Sequence, residues 1–323
     1  MTNIKSTLLK FQSIIALVVL CVVLTLLSDK FLTPENGWNI MRQISINVCI
    51  SVGMTLVILT KGIDLSVGSM LAFAGAITAG LLQNGIEIPS MNILLEFTVF
   101  GAIFAGLIVG GGLGTFNGWM ITRFKVPPFV ATLSMLTIAR GATMLWTGGF
   151  PITGFGDTFA FIGTGWFLGI PMPVWIMAVV VAIAMVITRK TVFGRHIYAV
   201  GGNESAARLS GININKVKVW VYAIAGILSA VGGIILVSRL DSAQPNAGMS
   251  YELDSIAAVV IGGTSLSGGR GSITGTVQGA LIIGVLNSGL VLLNVSPFWQ
   301  QIIKGFVILL AVIMDRLNHP NED

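Results

Sequence analysis

The chain has 323 residues, of which 54% are apolar, 10% charged and 40 are glycine. Soluble domains are about a quarter charged residues, so a water-soluble fold is excluded, and residues 1–323 read as one all-α, polytopic membrane domain. The net charge of +5 does not point to nucleic acid, because Lys and Arg fall in short segments between apolar runs, as expected of the cytoplasmic loops of a membrane protein.

A bilayer is crossed by about twenty apolar residues, which predicts about ten helices, at 11–28, 39–60, 64–83, 92–122, 128–147, 171–188, 217–238, 252–266, 272–293 and 298–315. Lys5 and Lys10 before the first apolar run resemble a secretory signal, but the SDK after Leu27 lacks a small-residue cleavage site, so an uncleaved first helix is expected. Cys21 and Cys49 lie in apolar runs and read as core filler. With a cytoplasmic N terminus, the inner segments hold thirteen Lys and Arg, including Lys61, Arg123, Arg189, Lys218 and Arg270, and the outer segments only Lys30 and Arg239. That asymmetry orients the chain with both termini cytoplasmic.

Two glycine-rich segments break the apolar runs in similar words, GIDLSVGS at Gly62–Ser69 and GTSLSGGR at Gly263–Arg270, pairing Gly62 with Gly263, Ser66 with Ser267 and Gly68 with Gly269. Read as five crossings apart, the copies enter the membrane from opposite sides, giving an inverted repeat with halves at roughly 39–150 and 217–315 and broken helices around a shared path. Gly110, Gly114 and Gly118, four apart, make a smooth strip for close helix packing. The surrounding GGGLGTFNG follows no strand and is not a dinucleotide loop.

The outer loop at 147–170 is Gly-rich, with Asp157 its only charge, and fits a cap over the outer mouth. The polar outer segment Arg239–Glu252 is either a docking surface or a plain solvated loop. The largest cytoplasmic segment, 189–218, contains a short helix. Asn203 caps it, Glu204 and Arg208 are spaced for an i,i+4 pair, Ala206, Ala207 and Leu209 give it a small apolar surface, and Gly211 ends it. So short a helix is unstable alone; it rests on its own chain or in a groove of a cytoplasmic subunit.

Phosphate-loop, zinc-protease, paired-cysteine and nucleophile-elbow patterns are all absent, as GGRGS at 268–272 lacks the Lys that would meet phosphate. His196 and His319 both fall in cytoplasmic segments. The chain therefore reads as neither an enzyme nor a metal site, with no cofactor of its own, and uphill transport needs an ion gradient or a partner that hydrolyses ATP.

Ion coupling calls for carboxylates at membrane depth, and the candidates are Asp64, Glu96, Glu252 and Asp254, with Arg140 and Lys304 as deep cations. A path for a neutral polar solute needs hydroxyls and amides, which Asn47, Ser51, Ser66, Asn117, Ser265, Ser267 and Asn287 supply, alongside Ser45, Ser69, Thr132, Ser134 and Ser288. An ion-coupled secondary transporter explains the glycine motifs but leaves the 203–211 helix idle. A membrane scaffold or receptor leaves the broken helices unexplained.

Three stretches carry a family resemblance: NVCISVGMTLVILTKGIDLSVGS at 47–69, YAVGGNESAARLSGININKVK at 198–218, and SAQPNAGMSYELDSIAAVVIGGTSLSGGRGSITGT at 242–276. They resemble the permease subunits of bacterial ribose-type ABC sugar importers, with the ribose-carrying members the nearest likeness; members for other pentoses, hexoses and a furanosyl autoinducer share much of the pattern. The resemblance implies a homodimer in the bacterial inner membrane, a separate cytoplasmic ATP-binding subunit holding ATP and Mg, and a periplasmic sugar-binding protein. It also implies that Asn203–Gly211 is the coupling helix that rests on the ATPase. The chain then moves sugar by alternating access.

Overall fold

The computed structural model describes residues 2–88 and 93–318. Of the segments discussed above, Met91 and His319 lie outside the described residues, as do the side chains of Lys5, Lys10 and Arg316.

The helices are α1 (Thr2–Leu27), α2 (Pro34–Leu59), α3 (Val67–Gln83), α4 (Val99–Arg123), α5 (Pro128–Thr147), α6 (Asp157–Thr164), α7 (Met172–Lys190), α8 (Val192–Gly202), α9 (Glu204–Leu209), α10 (Ile214–Leu240), α11 (Tyr251–Ile261), α12 (Ile273–Leu292) and α13 (Pro297–Asn318). Six of the described helices, α2, α4, α5, α7, α10 and α12, are long and apolar enough to cross a membrane. Strand content is slight: antiparallel pairs join β1 (Ile86–Ile88) to β2 (Ile93–Leu95), β3 (Ile152–Thr153) to β6 (Ser242–Ala243), and β4 (Trp166–Phe167) to β5 (Ile170–Pro171).

α2 and α10 form the buried axis. α10 packs on α2, α3 and α4, while α2 packs also on α7, α11 and α12. Around them α4, α7 and α13 expose large apolar side chains, among them Phe100, Phe104, Ile183, Phe306 and Leu309. An apolar exterior of that extent belongs in lipid rather than in water.

The glycine strip of α4 meets α10 backbone to backbone. A methyl group on Gly110 would stand 2.7 Å from Ala230 Cβ, one on Gly118 2.7 Å from Val219 Cα, and one on Gly114 would run into the Tyr222 carbonyl. Small residues are therefore required at all three positions, because the gain here is close dispersion contact between helices.

Local chemistry moves several helix ends from their expected places. α3 begins at Val67 rather than 64, because Asp64 Oδ1 accepts hydrogen bonds from the Ser66 amide (2.9 Å) and hydroxyl (2.5 Å), holding 64–66 as a turn. α4 begins at Val99 rather than 92, since Thr98 caps it through the Gly101 amide and residues 93–95 pair as a strand. α11 ends at Ile261, short of 266, where Gly263 adopts φ +80° and closes the helix with its amide on Val260 O.

The inversion inferred from the glycine motifs does not hold for the motifs themselves. The Gly269 amide donates to Leu59 O at 3.0 Å, and a methyl on Gly268 would stand 3.1 Å from the Lys61 nitrogen, so both motifs lie side by side at one end of the bundle. Helices α3 to α11 run between them in sequence and return the chain to that same end. Their likeness is local: each follows a helix closed by a left-handed residue, Lys61 (φ 62°) or Gly263, and each then makes a side-chain-nucleated turn. In the second copy Ser265 Oγ accepts from the Ser267 amide at 3.3 Å, as Asp64 does from Ser66 in the first.

Candidate translocation and coupling sites

Asp64, Ser66 and Asn117, from three stretches of sequence, converge on one buried cluster. Asn117 Nδ2 of α4 donates to Ser66 Oγ at 2.9 Å, and Ser66 Oγ donates to Asp64 Oδ1. The Thr132 hydroxyl of α5 donates to Ile63 O at 3.2 Å. Tyr222 of α10 closes the cluster, since a methyl on Gly62 would stand 2.5 Å from its hydroxyl. Asp64 Oδ2 and the Tyr222 hydroxyl are both buried, and neither has a hydrogen-bond partner among the described residues. Protein surrounds this irregular backbone, since Thr60, Asp64 and Ser66 are all buried.

A second group lies between α2, α11, α12 and α13. Lys304 Nζ pairs with Asp254 Oδ2 at 3.0 Å, and the Asp254 side chain is only 6% exposed. Asn287 adjoins Asp254. Thr55 and Thr276 share a hydrogen bond of 2.6 Å between α2 and α12. Ser51, Ser255 and Asn287 each keep a buried oxygen without a partner among the described residues. Asn47 is buried on α2. Ser265 and Ser267 join neither group: Ser265 serves the turn of the second glycine motif and Ser267 is exposed beside it. Ser45, Ser69 and Ser134 bond nearby backbone carbonyls, the usual employment of small hydroxyls in membrane helices. Glu96 is exposed after β2.

The 239–252 segment is tied down rather than loosely solvated. Arg140 Nη1 of α5 donates to Pro245 O at 2.7 Å and Ala247 O at 2.8 Å, and Arg239 Nη2 donates to Asn39 Oδ1 at 3.1 Å. These bonds hold Gly248 against the start of α3, where a methyl on Gly68 would collide with Gly248 O and come within 2.8 Å of Glu252 Oε2. Gly68 therefore serves close approach of two backbones.

The 147–170 loop also has structure that composition does not announce. Its α6 is seated on α10 by Ser238, whose hydroxyl donates to Phe159 O and accepts from the Gly163 amide, and Phe159 is fully buried. β3 pairs with β6, joining this loop to the 239–252 segment.

At the other end, Asn203 ends α8 and caps α9, its Oδ1 accepting from the Ala206 amide at 2.9 Å. Glu204 pairs with Arg208 at 3.6 Å and with Lys218 at 2.8 Å, the second contact fastening α9 to α10. Gly211 takes φ +81° and turns the chain toward α10. Ala207 faces inward, whereas Ala206 is exposed and Leu209 is 90% exposed. The helix rests on its own chain by one face and leaves the other open. Gly201, Gly202 and Gly269 bring the α8 end against both glycine motifs; a methyl on Gly269 would stand 2.7 Å from the Gly202 nitrogen. Nearby, the Tyr198 hydroxyl donates to Gly271 O at 3.0 Å, and burial raises its pKa above the ordinary phenol value.

Buried amides and hydroxyls at helix breaks, linked through α8 and α9 to an open helical face, suit a membrane-embedded transport subunit. Residues 37–312 match the family described as the permease component of branched-chain amino acid transport systems, and the chain belongs to that family. It is 52% identical to the ribose import permease protein of Haemophilus influenzae over 95% of this chain and 93% of that one. It is 51% identical to that of Escherichia coli K12 over 96% and 95%. The xylose transport system permease protein of Haemophilus influenzae is further away, at 35% over 98% and 99%. Comparison with solved structures finds no match.

Proposed function

We propose that this chain is the membrane subunit of an ATP-driven importer that takes ribose or a similar monosaccharide from a periplasmic binding protein into the cytoplasm. The observation that carries the reading is 52% identity, along nearly the whole chain, to a ribose import permease, against 35% to a xylose permease. A polyol suits the two buried groups, which offer three hydroxyls, the Asn287 amide oxygen and the Asp64 carboxylate with unfilled hydrogen-bonding capacity. Such groups repay burial when a hydroxylated solute completes them.

In this proposal the chain sits in the bacterial inner membrane as a homodimer, crosses it about ten times with both termini cytoplasmic, and holds no cofactor itself. A separate subunit binds ATP and Mg, and α9 docks on it through Ala206, Arg208 and Leu209. ATP-driven closure of that subunit moves α9, and the Glu204–Lys218 pair passes the motion to α10. An inverted relation between the halves finds support in packing rather than in the glycine motifs. α10 packs on α3 and α4 as α2 packs on α11 and α12, and α3 meets α5 as α11 meets α13.

The test is uptake into vesicles that hold this chain, with and without its ATPase, supplied with ribose-loaded binding protein and internal ATP. Uptake that requires every component is expected; uptake by this chain alone, driven by an ion gradient, would overturn the proposal. Leu209→Asp should leave insertion intact and abolish ATPase stimulation.

A further inference from the structure

A cavity of about 300 Å³ opens between α8 and α10 and is lined by Phe193, Trp220 and Ile224. Trp220 is 62% exposed and belongs to the apolar exterior that faces lipid. Lys216, Trp220 and Ile224 are four residues apart on α10, so they form one stripe along the helix. At 1.5 Å per residue the steps are about 6 Å each. The stripe runs from charge through an amphipathic ring to aliphatic surface, and Ile227, 38% exposed, follows one further turn on. That is the polarity gradient of a phospholipid, from headgroup through the glycerol region to the acyl chain, and Trp prefers that middle depth.

The two sequence segments that supply the cavity's lining carry cations without acids. No Asp or Glu occurs from Arg189 to Asn203 or anywhere in α10, while Lys190 and Arg195 flank Phe193 in sequence. Lys218 is taken up by Glu204, but Lys216 is exposed and has no ion pair among the described residues. It also stands in the first turn of α10, where the helix dipole disfavours a cation and adds its own attraction for an anion.

We propose that this groove binds an anionic phospholipid of the inner leaflet, its phosphate on Lys216, its glycerol region against Trp220 and an acyl chain along Phe193 and Ile224. Basic pockets between membrane helices on the cytoplasmic side suit such headgroups. Because α9 is fastened to α10 through Glu204 and Lys218, the bound lipid sits directly behind the helix proposed to couple to the ATPase.

The test uses the full chain in nanodiscs containing brominated lipids, which quench only tryptophans they touch. The Trp220 contribution is the difference between the chain and Trp220→Phe. It should half-saturate at about fivefold lower mole fraction of brominated phosphatidylglycerol than of brominated phosphatidylcholine, the preference that one surface cation supplies. Lys216→Ala should erase that preference and Lys216→Arg should keep it. Equal quenching by the two lipids would reduce the groove to ordinary annular contact, and quenching by neither would mean that protein covers it; either result overturns the proposal. As a second measurement, native mass spectrometry should find phosphatidylglycerol retained by the unmodified chain and lost from Lys216→Ala.

Discussion

Gly110 and Gly112 are two residues apart on α4 and present a matched experiment. A methyl on Gly112 meets nothing within 4 Å, whereas one on Gly110 would stand 2.6 Å from Gly226 O and 2.7 Å from Ala230 Cβ. Ordinary contact begins at 3.4 Å, so in Gly110→Ala the helices α4 and α10 must separate by about 0.7 Å, a gap that forfeits between a quarter and a half of the contact energy of each affected atom pair. Overpacking of this kind costs about 1–3 kcal/mol. Both substitutions gain the same helix propensity, about 1 kcal/mol for Gly to Ala, so the difference between the two variants isolates the packing cost. Thermal unfolding of purified protein in detergent should find Gly112→Ala at or above the parent and Gly110→Ala below Gly112→Ala by about 1–3 kcal/mol. Equal stability of the two variants would refute the reading that α4 and α10 touch through their backbones.

Three further outcomes follow from other contacts. Lys304→Met strands Asp254 as an uncompensated buried charge and should cost about 3–5 kcal/mol, while Lys304→Met with Asp254→Leu should recover most of the loss; unfolding of the two variants checks this. Asn203→Ala removes the cap on the Ala206 amide, about 1 kcal/mol, and should speed amide hydrogen exchange in α9 several-fold, whereas Asn203→Asp should not. Gly263 sits at φ +80° with open space around it, so Gly263→Ala should cost about 1–2 kcal/mol through backbone strain alone, and Gly263→Asn less, as read by thermal unfolding.

Helices with long apolar runs were legible in sequence because length and composition suffice to define them: the run at 128–147 coincides with α5, and those at 272–293 and 171–188 match α12 and α7 within two residues. Asn203, Glu204, Arg208 and Gly211 likewise announced α9, since capping and i,i+4 pairing act over a few residues. Tyr222 was missed as the neighbour of Asp64. A Tyr within an apolar run gives no sign of what faces it, although its rarity, one of three in the chain, was a usable signal. Ser238 and Phe159, which seat α6 on α10, left no pattern at all.

Composition, the spacing of charge and the glycine-rich breaks by themselves determined a membrane-spanning helical domain, its polar breaks and its short projecting helix, because each of these depends on residues near in sequence. The meeting of the two glycine motifs at one end, the tethering of 244–248 by Arg140, and the bond of Asn117 to the Asp64–Ser66 turn were decided only by tertiary structure. Their partners lie between 51 and 210 positions apart. At such separations, which side chains and carbonyls come within 3 Å depends on how the intervening helices stack, and no local preference encodes that.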